Sequence, residues 1–584
     1  MGLPLKQYFS LLSTYLEPLR QKVALLAVLL FSSIGLQLWA PQILRDFIDQ
    51  TQTDLPIADL MQIAVIFLVV SLFAQVVKVI AAYITQDIRW RTTNQMRGDL
   101  AAHCMTLDMS FHNAQTPGKM IERIDGDVNE LSNFFSQFIV QIVGNLVLLT
   151  GILFLLFRED WRIGLTFLIF TLFTSFVIGR TVGIAVPFWR ENRQATSELF
   201  GFLEERLAGT EDIRSSGGVA YTLQQLRQAI ITLFQSSRKA WTIGELTWGA
   251  TDALFSLGMA IALALGGYLL MIDAISLGTV YLIFHYNTMI RRPVDQLTRQ
   301  LKDLQSAGAG IERIQALFDT YPKVQVPTDT EAQPIPAGPL SVVFDQVQFG
   351  YVSEEPVLQN VSFHLEPGQV LGILGRTGSG KTTITRLLFR LYDIDKGSIR
   401  LGDVPLQNTQ LSDLRQRIGI VTQDVQLFEA QVRDNLTFFD DAISDDALHT
   451  IIYNLGLESW YQTLADGLDT VLAGSNGGLS AGEAQLLAFA RVFLKEPGLI
   501  ILDEASSRLD PATEQLIEQA IDRLLFQRTG IIIAHRLATV QRADKILILE
   551  AGQIVEFGDR VALAADPTSR FAQLLKTGMT EMLA

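Results

Sequence analysis

Six charge-free apolar runs, near 23–44, 60–77, 131–157, 163–179, 253–272 and 274–290, constrain this chain more than any other feature. In lipid the backbone must satisfy its own hydrogen bonds, and about 20 apolar residues in a helix cross the hydrocarbon core. One such run suits the buried helix of a soluble domain. Six in succession predict an all-α six-helix transmembrane domain, with the two shorter helices extending past their charged ends.

Between the runs, segments 86–130 and 180–240 are long and rich in Arg and Lys, so they are expected in the cytoplasm. They keep helical apolar periodicity, as in "ELFGFLEERLAG", which predicts stalks that continue the spans. Each pair of stalks ends in a turn region, "FHNAQTPGKM" or "LAGTEDIRSSGG". The first 22 residues lack a short apolar core followed by a cleavage site and read as a retained amphipathic helix at the membrane surface. The expected organisation is 1–22 surface helix, 23–310 membrane domain with stalks, 311–339 Pro- and Thr-rich linker, and 340–584 soluble domain. From Leu340, short β-branched runs alternate with helical ones, predicting an α/β domain with a largely parallel sheet.

The net charge of -15 leaves no basic footprint for nucleic acid, so none is expected as a partner. A single cysteine, Cys104, excludes an internal disulfide, a Cys-based zinc site and a CxxC redox pair. Lys78, Asp252, His285 and Asn287 lie in or beside apolar runs, where burial of a polar group is costly without a role. Their structural alternative is helix–helix hydrogen bonding or snorkelling to the interface. Tyr286 is a candidate for lining a substrate cavity.

The chemistry is concentrated in "VLGILGRTGSGKTTITRLLF". Gly375, Gly380, Lys381 and Thr382 have the G-x-x-x-x-G-K-[ST] spacing between an apolar strand and a helix, the context a phosphate loop requires. The whole loop, Gly375, Arg376, Thr377, Gly378, Ser379, Gly380, Lys381, Thr382 and the following Thr383, is read as nucleotide-binding. Lys381 would neutralise the β- and γ-phosphates of ATP, and the Thr382 hydroxyl would ligate Mg2+. "GLIILDEAS" ends a strand in Asp503, a candidate for the magnesium shell, and Glu504, a candidate base for the attacking water.

Taken together, these motifs resemble the ATPase of an ABC transporter, and all 584 residues resemble an exporter-type half-transporter. The resemblance implies an all-α six-helix transmembrane domain followed by an α/β P-loop ATPase domain of ABC type, in the plasma membrane with the ATPase in the cytoplasm. It implies that Tyr351 stacks on adenine, that Gln423 joins the magnesium site, and that His535 contacts the γ-phosphate. "SRLD", ending in Asp510, matches the loop after the catalytic glutamate. The two turn regions match coupling helices, which transmit ATPase closure to the spans. The implied activity is ATP hydrolysis driving export of a hydrophobic or amphipathic small-molecule, lipid or peptide substrate across the plasma membrane by alternating access, with membrane lipid as a further partner. A fused importer of a metal chelate and a non-transporting regulator remain open alternatives.

"LSAGE", residues 479–483, stands where the family usually has LSGGQ. The resemblance implies that Ser480 and Gly482 bind the γ-phosphate of ATP held by another subunit, so that one chain completes no site. Ala481 adds a side chain where backbone approaches phosphate and would strain any positive φ. A Glu483 carboxylate about 8 Å from one phosphate charge costs roughly 2 kcal/mol at an effective dielectric near 20. A good catalytic half beside a weakened signature resembles one member of a heterodimeric exporter; a homodimer tolerating the variant is the alternative.

Overall fold

The structure, a computed structural model, describes residues 13–52, 56–134, 141–328, 330–352, 355–422, 425–472, 479–503, 511–534 and 537–577. Of the surface helix expected over 1–22, residues 1–12 lie outside the described residues. The chain forms two compact units, Met1–Met105 with Pro117–Thr320, and Thr106–Thr116 with Tyr321–Ala584.

In chain order the helices up to the linker are α1 (Arg20–Gln50), α2 (Ile57–Thr106), α3 (Met109–Ala114), α4 (Pro117–Ile121), α5 (Val128–Phe134), α6 (Gly144–Glu159), α7 (Trp161–Ala208), α8 (Thr210–Ser215), α9 (Val219–Met271) and α10 (Leu277–Phe318). All except α3 belong to the first unit. Helices α2, α7 and α9 run for 50, 48 and 53 residues. At about 1.5 Å per residue each is more than twice the hydrocarbon thickness of about 30 Å, so they continue as stalks.

Five helices among the described residues, rather than the six expected, are long and apolar enough to cross a membrane: Ser13–Gln50, Ile57–Thr106, Gln141–Glu159, Trp161–Ala208 and Val219–Met271. The run at 274–290 falls largely on α10, which packs against α1, α6, α7 and α9. Leu282, Ile283, Tyr286, Asn287 and Ile290 of α10 are all at most 1% exposed. A helix enclosed by other helices need not be apolar around its whole circumference, and α10 carries polar residues accordingly.

Opposite the stalks, the ends of α1, α6 and α10 are tied by polar groups. Arg45 bridges to Glu159 at 2.5 Å, and Asp49 accepts from the Ser276 hydroxyl and the Gly278 N–H, each at 2.6 Å. Asp252, a suspect by its position, is paired with Arg291 at 2.6 Å. His285 stacks on Tyr281 with ring centroids 5.9 Å apart. Tyr286, the candidate for a cavity wall, is fully buried, donates to the Leu38 carbonyl and accepts from Gln42. Its hydroxyl joins α10 to α1, satisfying a polar group that hydrocarbon would leave unpaired.

The second unit holds two sheets. Strands β1 (Val342–Phe349), β2 (Leu358–Leu365), β4 (Lys396–Leu401) and β5 (Val404–Pro405) form an antiparallel sheet in the order β2-β1-β4-β5. The other sheet has the order β10-β9-β3-β8-β7-β6, from β3 (Val370–Leu374), β6 (Ile418–Val421), β7 (Leu499–Asp503), β8 (Thr529–Ile533), β9 (Lys545–Glu550) and β10 (Gln553–Asp559). Its strands are parallel except for the β9–β10 edge pair. Alternate residues serve opposite faces: Leu371, Ile373 and Ile501 join the core beneath the antiparallel sheet, while Leu374, Ile500 and Leu502 join the core that contains Phe489. Burial on both faces explains why these strands read as unbroken apolar runs.

Candidate nucleotide site

In a parallel sheet the carboxyl ends of the strands are where ligands gather. Here the phosphate loop leaves the end of β3, and Thr422, Asp503 and Ile533 stand at the ends of β6, β7 and β8. These three line one cavity of about 850 Å³ together with Tyr351, Thr377, Gly378, Gly380, Lys381, Thr382 and Thr383. Gly375, Arg376 and Ser379 belong to the same loop.

Two glycines are required by geometry. At Gly375, φ is +153°, and a Cβ would lie 2.2 Å from the Leu549 carbonyl oxygen. Gly380 caps the helix Lys381–Leu388 with φ of +105°. The Lys381 ammonium is buried and donates to the carbonyls of Gly375 and Arg376 at 2.5 and 3.1 Å, which holds it across the loop. Ser379 Oγ is buried with no hydrogen-bond partner among the described residues. A cradle that a Cβ would fill, a buried ammonium and an unpaired hydroxyl suit phosphate. Thr382 and Asp503 supply the hard oxygen donors that Mg2+ takes alongside phosphate oxygens.

Tyr351 stands at the cavity's edge, 39% exposed, with its ring available to a base. Its hydroxyl lies 3.2 Å from Thr383 Oγ1 and accepts from Arg386, whose guanidinium sits 5.7 Å from the ring centroid. Phe349 and Tyr392 pack edge-on against the ring at 5.0 and 5.1 Å. The sequence reading missed Arg386 and Tyr392, because their contacts with Tyr351 join separate segments and follow no periodicity. Glu504, His535, Gln423 and Asp510 lie outside the described residues.

Ser480 and Gly482 do not line this cavity. They open the helix Ala481–Lys495, where Ser480 is the N-cap of a capping box. The Glu483 carboxylate accepts from the Ser480 N–H at 2.8 Å, and the Glu483 N–H donates to Ser480 Oγ at 3.2 Å. This corrects two expectations. Glu483 is turned back onto its own helix end, where its charge is favourable, and Ala481 occupies the first helical position without a positive φ. The carboxylate thus holds the Ser480 N–H.

A phosphate loop and an acidic strand end on one parallel sheet, in a chain that also carries long membrane helices, define a membrane-embedded P-loop ATPase. Residues 358–507 match the ABC transporter family and residues 23–294 match the ABC transporter transmembrane region. Over 475 residues the chain is 30% identical to the fatty acid ABC transporter ATP-binding/permease protein of Mycobacterium bovis, covering 81% of this chain and 75% of that one. It is 28% identical over 498 residues to the ATP-dependent lipid A-core flippase of Pectobacterium atrosepticum, with 85% and 84% covered. The fold matches a solved bacterial Atm1-family ABC exporter with ATP bound at a TM-score of 0.79 and 23% identity, over 96% of this chain and 98% of the other. The chain belongs to the ABC transporter family, as an exporter-type half-transporter with fused membrane and ATPase domains. It is a multi-pass membrane ATPase whose hydrolysis is coupled to transport.

Proposed function

We propose that this chain exports an amphipathic substrate by alternating access, with ATP held between two head-to-tail ATPase domains and a second, different half-transporter as its partner. The observation that carries the reading is the division of the nucleotide machinery within one chain. Lys381, Thr382 and Asp503 share a cavity that Ser480 and Gly482 do not enter. A signature with no role at its own chain's cavity is free to serve a neighbour's. Its retained carboxylate favours a partner whose own signature is stronger.

In this reading Lys381 and the loop amides hold the phosphates, and Thr382, Asp503 and Gln423 hold Mg2+, which would offset charge on the transferring phosphoryl group. Glu504 orients the attacking water, His535 contacts the γ-phosphate, and Asp510 belongs to the nucleotide-binding loop that follows the catalytic glutamate. Tyr351 stacks on adenine. Two relatives, a fatty acid transporter and a lipid A-core flippase, support an amphipathic cargo. The test is uptake of fluorescent amphiphiles into sealed inside-out vesicles. ATP-dependent accumulation that Lys381→Ala abolishes is expected; ATP turnover without movement of any amphiphile would overturn the reading.

A further inference from the structure

The membrane unit contains a second cavity, of about 600 Å³, between α1, α2, α6 and α10. Lys78 and Arg89 of α2 and Arg292 of α10 line it, and no carboxylate does among the described residues. Lys78, Thr85, Gln86 and Arg89 recur at helical spacing and form one polar stripe on α2. Elsewhere α2 exposes Leu68, Leu72, Phe73, Val76 and Ile80, the apolar surface expected against lipid. The stripe forms the α2 side of the cavity, with Lys78 and Gln86 exposed and Thr85 and Arg89 partly buried.

Basic residues at the cytoplasmic edge of a membrane commonly snorkel to the interface, so their presence alone decides little. Their pairing distinguishes these. Arg291 is paired with Asp252, whereas its neighbour Arg292 and Lys78 are in no ion pair among the described residues. Arg89 donates to the Ser132 hydroxyl at 3.3 Å. Amides complete the polar wall, with Asn145 donating to Gln296 at 2.7 Å. Leu30, Ile34 and Leu148 form an apolar wall in the same cavity.

Depth follows from helix geometry. Counted at about 1.5 Å per residue, Thr288 and Gln296 lie about 16 and 28 Å along α10 from Leu277, and Lys78 and Arg89 about 32 and 48 Å along α2 from Ile57, so the cavity runs from the inner part of a hydrocarbon core about 30 Å thick into the cytoplasmic interface. A cationic, amide-lined wall beside an apolar one at this depth matches a molecule with an anionic head and a hydrocarbon tail. We propose that this cavity binds the anionic headgroup of an amphiphile, a phosphate or carboxylate on an acyl or alkyl chain, drawn from the cytoplasmic leaflet. The proposal rests on the export reading for the fate of that molecule, though not for its binding.

The test is binding to the dimeric transporter, isolated with its native partner, in phosphatidylcholine nanodiscs. The probes are dodecyl phosphate, dodecyl maltoside, dodecyltrimethylammonium and inorganic phosphate. Dodecyl phosphate is expected to bind at least tenfold more tightly than the neutral and cationic probes. Lys78→Gln and Arg292→Gln should each weaken it by three- to tenfold, while Lys78→Arg retains it. Equal binding of the three amphiphiles, affinity unmoved by both Gln variants, or inorganic phosphate binding as tightly as dodecyl phosphate would each overturn the proposal. Charge-dependent binding without movement across vesicles would uphold this site and remove the export reading; movement of only neutral amphiphiles would do the reverse.

Discussion

The Asn113 side-chain amide donates a 2.6 Å hydrogen bond to the Tyr392 hydroxyl, and the Tyr392 ring packs edge-on against Tyr351. Asn113 belongs to α3, the short helix in the first turn region, and Tyr351 is the residue expected under adenine. Two contacts thus connect Tyr351 to the short helix of the first turn region, expected to be a coupling helix, within one compact unit.

Breaking only the polar contact separates binding from coupling. Tyr392→Phe keeps the ring against Tyr351 and removes the acceptor for Asn113. A hydrogen bond of this kind is worth about 0.5–1.5 kcal/mol. ATP affinity should be nearly unchanged while stimulation of ATPase by transported substrate falls by about 2- to 10-fold. Asn113→Ala should reproduce the effect; equal loss of ATP affinity in both variants would contradict it. Measurements of nucleotide Kd and of stimulated turnover decide.

Gly375→Ala would place a methyl where the Leu549 carbonyl oxygen already stands, 2.2 Å away. The loop and the β9 end cannot both keep their positions. Loss of ATP binding with a lowered Tm is expected, read by nucleotide binding and thermal unfolding.

Glu483→Gln keeps both halves of the capping box and removes one charge. Stability should stay within about 0.5 kcal/mol of the parent. With the Ser480 N–H still held by the amide oxygen, the KM for ATP at the site this signature serves should stay near that of the parent. Glu483→Ala instead removes the side-chain half of the cap and should destabilise by about 1 kcal/mol. Tm and KM(ATP) on the same preparations distinguish charge from capping.

Much of the nucleotide site was legible because the phosphate loop is local: strand, Gly375–Thr382 and helix are contiguous, and the spacing alone positions the residues. The capping box was also written in the sequence, as Ser480 followed three residues later by Glu483, but the same letters allowed the carboxylate to face a phosphate. Backbone geometry decided between them. Asn113 and Tyr392 are 279 positions apart, and no local pattern joins them. The sixth apolar run was readable as a span, whereas its enclosure by four other helices depends on packing that hydropathy does not encode.

Asp108, the N-cap of α3, offers a pH test. Burial pushes its carboxyl up, but hydrogen bonds from the Ser110 hydroxyl and from the N–H groups of Lys323, Phe111 and Ser110 together hold it below the usual range. A carboxylate lowered in the folded state adds stability above its unfolded pKa of about 4 and loses it as pH falls through the folded value. The Tm difference between parent and Asp108→Asn should therefore be largest near neutrality and shrink below about pH 4. A difference independent of pH down to 3 would remove this role.

The central claim is that one chain does not close an ATP site by itself. Its most direct measurement is the native mass of the tagged chain purified from its own membrane in mild detergent, with ATP present. The account predicts this 64.9 kDa chain together with an equal amount of a second, similar-sized chain. Two identical chains would uphold closure between subunits and contradict the unequal pair; a single chain that turns over ATP would contradict the central claim.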